Sequence, residues 1–211
     1  MAELKSVTDA LEANPGCFGA LRSMSLKHEG NLSVWRLEVS GFDDAVAGGR
    51  ALNSDLAEMA RQLGGGTRTG AITMEAIFPP AYPAEPFFLR VVSPPFFLRV
   101  VSPRMQMYMY AGHATAGGSI YVDGGSDLTN TGTAQSWQRD STFEGIVTTV
   151  LHNMIDVVPM DVRTASGPEG RSGPLRVNLR GGAAQCLREY STGEAQAAFG
   201  RTLAHHASNG W

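Results

Sequence analysis

The stretch "FPPAYPAEPFFLRVVSPPFFLRVVSPR" (residues 78–104) contains the same nine residues twice, Pro86 to Pro94 and then Pro95 to Pro103, without a mismatch. Each copy carries the apolar run "FFLRVV" between prolines. Aromatic and β-branched residues favour strands, and proline is confined to strand ends or edges because it cannot donate to the ladder. Each copy therefore predicts a strand, although a sheet has room for only one of them beside a given neighbour.

The neighbouring strand is predicted over "AITMEAIF" (71–78). We expect the first copy, residues 87–93, to pair with it as the third strand of the sheet, because its connection to "YPAEP" is unbroken. The second copy then folds back as an added hairpin strand or loops out, where the exposed "FFLRVV" would be an aggregation hazard. A nine-residue period is too short for a repeat architecture, so the second copy is interpreted as an insertion and not as a second module.

Hydrophobic spacing and cap residues predict the remaining elements. Asn53 or Ser54 is expected to cap a helix inserted between two strands, and His152 is expected on the polar face of its helix. The predicted segments are helices over 3–13, 17–24, 53–63 and 140–155, a strand over 32–39, and a short extra strand in "LRVNLR" (175–180). Strands that precede the main helices indicate an antiparallel sheet with helices packed on one face, an α+β arrangement within the α/β class.

Composition limits the function classes. The chain has 211 residues and a formal net charge of −3, so we expect a single domain over residues 1–211 and no nucleic-acid partner. The start of the chain has no apolar signal segment, and no window approaches a membrane span, so we expect no membrane partner and a cytoplasmic or nuclear location. Cys17 and Cys186 are not spaced as metal ligands, and no metal or cofactor is predicted.

Several motifs in order resemble the ubiquitin-conjugating enzyme family, and specifically its Q-type branch. They are the turn "YPAEP" (82–86), the strand "FFLRVVSP", the segment "GGSIYV" (117–122), Trp137, the helix at 140–155 and the final helix that ends in Asn-Gly-Trp. The resemblance covers nearly the whole chain and is weakest before residue 30. It implies an N-terminal helix, a four-stranded antiparallel meander, a crossover helix and C-terminal helices.

The resemblance also implies a nucleophilic cysteine that carries ubiquitin as a thioester, but Tyr121 occupies that position in "GGSIYV". A phenol, with a reference pKa of about 10, is mostly protonated at neutral pH and cannot replace a thiolate. Cys17 and Cys186 are far from this position in sequence and are interpreted as small, partly buried apolar residues. The sequence therefore predicts a degenerate site around Tyr121, His113, Gly118 and Trp137, with no catalytic residue.

Two features beside Tyr121 allow alternatives. His113 stands eight residues before Tyr121, where ordinary family members carry an asparagine; it could donate to an oxyanion or only organise the loop. Trp137 stands sixteen positions after Tyr121, farther than in the family pattern, which predicts an enlarged loop over 122–136. Its acids, Asp123 and Asp127, are interpreted as solvated loop residues and not as cation ligands.

Three hypotheses for the function follow. The first is a noncatalytic ubiquitin-conjugating-enzyme variant that binds ubiquitin or a ubiquitin-like protein, a ubiquitin ligase or an active conjugating enzyme. The second is an active ubiquitin transferase that uses an unrecognised nucleophile. The third is a scaffold subunit that kept only the fold. Tyr121 favours the first.

Overall fold

The structure is a computed structural model, and it describes residues 2–64, 70–93, 96–97, 120, 142–155, 176–177, 179 and 188–208. Within these residues the helices are α1 (Ala2–Ala13), α2 (Ala47–Gln62), α3 (Phe143–Ile155) and α4 (Thr192–Ser208). The strands are β1 (Leu21–Leu26), β2 (Val34–Val39), β3 (Ile72–Ile77), β4 (Phe88–Ser93), β5 (Phe96–Phe97) and β6 (Arg176–Val177).

The main sheet is a four-stranded antiparallel meander in the order β1-β2-β3-β4, as predicted. Alternate residues of β2 and β3 are buried on one face, where Trp35 lies opposite Ala76 and Leu37 opposite Met74. The strand alternation that predicted β2 is therefore confirmed. That face forms one apolar core with residues of α1, α2 and α3.

The first strand of the sheet was predicted wrongly as a helix over 17–24. Its buried residues, Leu21 and Met24, are three apart, which imitates a helical period. The spacing arises because the register shifts between Leu21 and Ser23, where β1 has one residue more than its partner β2. Such a bulge interrupts the period of two that normally marks a strand. The duplicated segment consequently occupies the fourth strand of the meander and not the third.

Helix α2 lies between β2 and β3, as the predicted insertion does, but it begins at Ala47 instead of residue 53. Asn53 is not its cap. The side chain of Asn53 accepts a hydrogen bond from the Phe42 N–H and donates to the Phe42 carbonyl, so it holds the loop before the helix. The N-cap residue is Val46, which makes no side-chain capping bond. Because the start lacks a polar cap, local sequence rules place it too late.

The first copy of the repeat occupies β4 and pairs with β3, as predicted. In the second copy, Phe96 and Phe97 form β5, which pairs with β6. The predicted hairpin with β4 is therefore wrong for these two residues, whereas the extra strand predicted in "LRVNLR" is confirmed at Arg176–Val177. A Pro94–Pro95 connection disfavours a tight hairpin, because such turns need positive φ angles that proline cannot adopt.

Helix α3 contributes the largest apolar stripe to the core. The predicted helix is confirmed over 143–155; His152 is exposed, as expected, and Ile146 is only partly buried. The stripe consists of Phe143, Val147, Val150, Leu151, Met154 and Ile155, all buried. The predicted final helix is present as α4, and it lies on the other face of the sheet, where Phe199 stacks edge-on against Phe88 at 5.7 Å.

Helix α2 approaches the end of α3 so closely that Gly48 has no room for a side chain. A Cβ at this position would lie far inside van der Waals contact with the Ile155 carbonyl group. Gly200 of α4 is also helical, but a Cβ there would meet nothing within 4 Å. The two glycines therefore have opposite steric surroundings within the same kind of element.

We predict that Gly48→Ala lowers the free energy of unfolding, because the clash with the α3 backbone exceeds the helix-propensity gain. Gly200→Ala, the matched control, should raise it by up to about 1 kcal/mol. Urea denaturation followed by circular dichroism measures both. Equal stabilisation by the two substitutions would contradict the close approach of α2 to α3.

Candidate functional site

One described residue, Ile120, borders the predicted degenerate site in sequence, and it lies at the outer edge of β4. Tyr121, His113, Gly118 and Trp137 themselves lie outside the described residues, so their arrangement stays a prediction. Ile120, directly before Tyr121, is described: its side chain is 1% exposed, and its N–H donates to the Leu89 carbonyl at 3.3 Å. The residue directly before Tyr121 is therefore attached to the sheet through a backbone hydrogen bond.

A bulge in β4 creates a second attachment point on the same strand. The register shifts between Thr73 and Met74 of β3, which face Ser93 and Val91, so Val92 has no partner there. The Val92 carbonyl instead accepts a hydrogen bond from the Tyr190 N–H at 2.8 Å. An unpaired residue at a bulge can direct its polar groups away from the ladder. Strand β4 therefore anchors both the segment before Tyr121 and the segment that leads into α4.

Arg90 connects this edge to a buried carboxylate. It lies opposite Glu75 of β3, and its guanidinium donates to Glu75 Oε2 at 2.6 Å and to the Tyr190 carbonyl at 2.6 Å. Lys27 Nζ lies 2.9 Å from Glu75 Oε1, as an ion pair and not a well-aligned hydrogen bond, and Arg36 lies 3.6 Å from the same oxygen. Three cations thus surround one carboxylate that is almost wholly buried.

The charges around Glu75 determine its ionisation. Burial by itself raises the pKa of this carboxyl group, but Lys27 and Arg90 outweigh burial and bring the pKa below its ordinary value of 4.5. Removing one partner of such a buried group is costly because the remaining charge is left without compensation. Glu75 is therefore ionised in the folded protein at neutral pH.

A second polar junction links the N-terminal helix to the turn that carries "YPAEP". Glu3 of α1 accepts a hydrogen bond from the Phe143 N–H through Oε1 at 2.6 Å and another from the Tyr82 hydroxyl through Oε2 at 2.8 Å. Phe143 is the first residue of α3, so the carboxylate lies at the positive end of the helix dipole. One side chain thereby joins α1, the turn before β4 and the start of α3.

The environment of Tyr82 strengthens this junction. Burial first, and then the hydrogen bond and the negative charge of Glu3, raise the pKa of Tyr82 well above its ordinary value of 10.0. The Tyr82 ring also packs edge-on against Phe78 at 4.8 Å, and Phe78 in turn contacts Phe87 and Phe143. The tyrosine of the turn is therefore a structural residue with a protonated hydroxyl.

The described residues hold no replacement for the missing thiol at this edge. Cys17 lies in the turn before β1, and β1 forms the edge of the sheet opposite to β4. It is exposed, so its predicted partial burial is wrong; the neighbouring Phe18 packs against the core in its place. Cys186, Asp123 and Asp127 lie outside the described residues.

The described part of the chain shows neither a metal-binding cluster nor a membrane-spanning helix. No group of three or more histidine, cysteine, aspartate or glutamate side chains there could hold a metal ion. Asp55 is buried, but its Oδ2 accepts a hydrogen bond from the Val177 N–H at 3.0 Å, which ties β6 to α2. None of the described helices is both long and apolar enough to cross a membrane.

Sequence reasoning overlooked the residues that make both polar junctions. Glu75 and Arg90 each interrupt an apolar strand, "AITMEAIF" and "FFLRVV", and lone charges of opposite sign in two adjacent predicted strands are a signal of a cross-strand pair. Glu3 offered no such signal, because the first turn of a helix commonly carries an acid. Its partners lie 79 and 140 residues away along the chain.

We predict that Glu3→Gln and Tyr82→Phe each lower the free energy of unfolding by about 1–2 kcal/mol, because each removes a partly buried hydrogen bond. The double variant should lose less than the sum of the two, because the substitutions share one bond. Urea denaturation of the four proteins measures the coupling. Glu12→Gln, in the exposed last turn of α1, is the matched control; additive losses would contradict the shared hydrogen bond.

We predict that Glu75→Gln lowers the free energy of unfolding by about 3 kcal/mol at neutral pH. The folded-state pKa of Glu75 is depressed, so its contribution is present above the ordinary value of 4.5 and is lost as the pH falls below it. The difference between native protein and variant should therefore shrink in urea titrations at successively lower pH. Glu29→Gln, on the exposed β1–β2 turn, should show no such convergence, and a pH-independent difference for Glu75→Gln would refute the assignment.

Comparison with known proteins finds similarity among solved structures only. No family model matches the sequence, and no curated protein matches it. Among solved structures, a ubiquitin conjugating enzyme E2 from Plasmodium falciparum is similar, with a TM-score of 0.43 and 11% sequence identity over 75% of this chain and 100% of that one. At this TM-score and identity the likeness decides neither the family nor the chemistry.

Proposed function

We propose that this protein is a noncatalytic variant of the ubiquitin-conjugating enzyme fold that binds a protein of the ubiquitin pathway without forming a thioester. The observation that carries the proposal is Tyr121, in the position of the nucleophilic cysteine within "GGSIYV". Ile120 immediately before it is held on the β4 edge, so a residue at 121 enters from an ordered part of the sheet. A phenol at this position cannot accept an acyl group as a thiolate does.

The described geometry supports the proposal in two further respects. The order of α1, the four-stranded meander and α3 is the order that the sequence motifs imply for this fold. Cys17, the one cysteine within the described residues, lies in the turn before β1, the edge strand opposite to β4, to which Ile120 is attached. This thiol is therefore not attached to the strand that holds the residue before position 121.

The partner class follows from the same resemblance. It comprises ubiquitin or a ubiquitin-like protein, a ubiquitin ligase and an active conjugating enzyme, and the protein would meet them in the cytoplasm or nucleus. A fold that keeps its sheet while losing its nucleophile can still present a binding surface. Binding without chemistry is the role that a tyrosine in the nucleophile position leaves open.

We predict that the native protein forms no thiol-sensitive adduct when it is incubated with ubiquitin-activating enzyme, ATP and ubiquitin and analysed on a non-reducing gel. Tyr121→Cys is the matched variant, and its charging would show that the surrounding groove still receives ubiquitin. A thiol-sensitive adduct on the native protein would refute the proposal, and Cys17→Ser and Cys186→Ser would then identify the nucleophile.

The binding role needs a separate measurement. Isotopically labelled ubiquitin titrated with the native protein should show saturable chemical-shift changes on a contiguous surface. Addition of the unfolded protein is the control for nonspecific contact. If neither ubiquitin nor an active conjugating enzyme shows any shift at high concentration, the protein is better described as a scaffold that kept only the fold.

A further inference from the structure

The two nine-residue copies are chemically interchangeable at the position that β4 occupies. Every contact of β4 with the rest of the protein is made by residues of the first copy, Pro86 to Pro94, and each has an identical counterpart nine positions later in the second copy, Pro95 to Pro103. We propose that the chain exchanges the two copies in the fourth strand of the sheet, with Arg99 replacing Arg90 as the partner of Glu75 in the second arrangement.

The strand position beside β3 accepts only certain side chains. The identity of the two copies matters for this reason. Glu75 requires a cation from the facing strand, and Arg90 meets this need from the position opposite. The apolar neighbours are equally constrained, because Phe87, Leu89 and Val91 are all at most 1% exposed. An arbitrary strand would remove the guanidinium that donates to Glu75 Oε2 or leave the core badly packed.

The second copy satisfies each of these requirements by sequence alone. Arg99 stands in the place of Arg90, Leu98 in that of Leu89 and Phe96 in that of Phe87. Each copy begins and ends with a proline, so the ends of the strand are also the same. Residues 98–103 lie outside the described residues, and the inference rests on their identity with residues whose contacts are described.

The two arrangements differ in free energy because the segments that connect them to the rest of the chain differ. With the second copy in the sheet, the first copy becomes part of the loop after the "YPAEP" turn, and the entropy cost of a loop grows only slowly with its length. The pairing of Phe96 and Phe97 with Val177 and Arg176 is lost, because those phenylalanines enter the sheet. The looped-out copy also exposes apolar residues to water. The described arrangement is therefore the ground state, and the second is its higher-energy alternative.

Exchange would change the segment that leads to Ile120. That segment becomes nine residues shorter when the second copy occupies the sheet, while Leu98 offers the carbonyl that Leu89 now offers to the Ile120 N–H. The β6 strand, which Asp55 holds against α2, would lose its partner in the same step. The duplication thus couples the sheet to the length of the loop before residue 120.

Arginine substitutions distinguish exchange from a fixed strand. If the copies exchange, Arg90→Ala should shift the urea midpoint only modestly, because Arg99 takes over the ion pair, and Arg99→Ala should shift it little. The double variant should then lose far more than the two shifts together, because neither copy can supply a guanidinium to Glu75 Oε2. If Arg90→Ala alone loses as much as the double variant, the strand is fixed and the proposal is overturned.

Disulfide trapping observes the second arrangement directly and does not depend on stability. Ala76 of β3 lies opposite Leu89, so a cysteine at 76 should pair with a cysteine at either Leu89 or Leu98 if both copies visit the slot. The variants Ala76→Cys with Leu89→Cys and Ala76→Cys with Leu98→Cys are made in a chain carrying Cys17→Ser, Cys186→Ser and Arg90→Ala. Mild oxidation should give an intramolecular disulfide in both.

The gel distinguishes the remaining possibilities. Failure of the 76–98 pair to form, beside a formed 76–89 pair, would overturn the exchange. Disulfide-linked dimers in place of the intramolecular 76–98 product would show exchange between molecules, and would overturn the proposal as stated for one chain. Faster migration of the unreduced 76–98 monomer on the gel, reversed by reductant, would support the exchange.

Discussion

The ionised carboxylate of Glu75, buried within the sheet, is the constraint on which the described structure depends. A charge in that position requires compensation, and Arg90 provides it from the neighbouring strand while also holding the Tyr190 carbonyl. The pairing of β4 with β3 and the approach of the segment before α4 therefore share one guanidinium. Lys27, directly after β1, and Arg36 of β2 add charge, so β2, β3, β4 and the end of β1 meet at the same site.

Glu3 performs a similar task on the other side of the "YPAEP" turn. Its carboxylate joins α1, Tyr82 and the first N–H of α3, three segments that are far apart in the chain. The turn is thus attached to α1 by the hydrogen bond from Tyr82 to Glu3. The strand that follows it, β4, is attached to β3 through the Arg90–Glu75 ion pair. Between these two polar junctions lie Phe78, Phe87 and Phe143, whose rings contact one another. The position of Ile120 on β4 is a consequence of this framework.

Sequence patterns predicted the elements with long, regular periodicity. The stripe from Phe143 to Ile155 marked α3, and the alternation of Trp35, Leu37 and Val39 marked β2, because burial on one face imposes those periods. Prediction failed where the period or the cap was irregular. The bulge after Leu21 made β1 resemble a helix, and the uncapped start of α2 at Val46 hid its first six residues. Local rules cannot detect either feature, since pairing with another strand or packing against another helix produces it.

The sequence by itself determined the chemical limits of this protein: Tyr121 stands where the resemblance implies a thiol, and the two copies of the strand carry identical side chains. These are properties of residue identity and need no coordinates. The unbroken connection to "YPAEP" already favoured the first copy in the sheet. Only the tertiary structure decided where Phe96 and Phe97 of the second copy pair, because the β5–β6 pairing joins residues that are far apart in the chain. It likewise decided that the arginine within the repeat compensates Glu75, since a cross-strand contact exists only once the register of two strands is set.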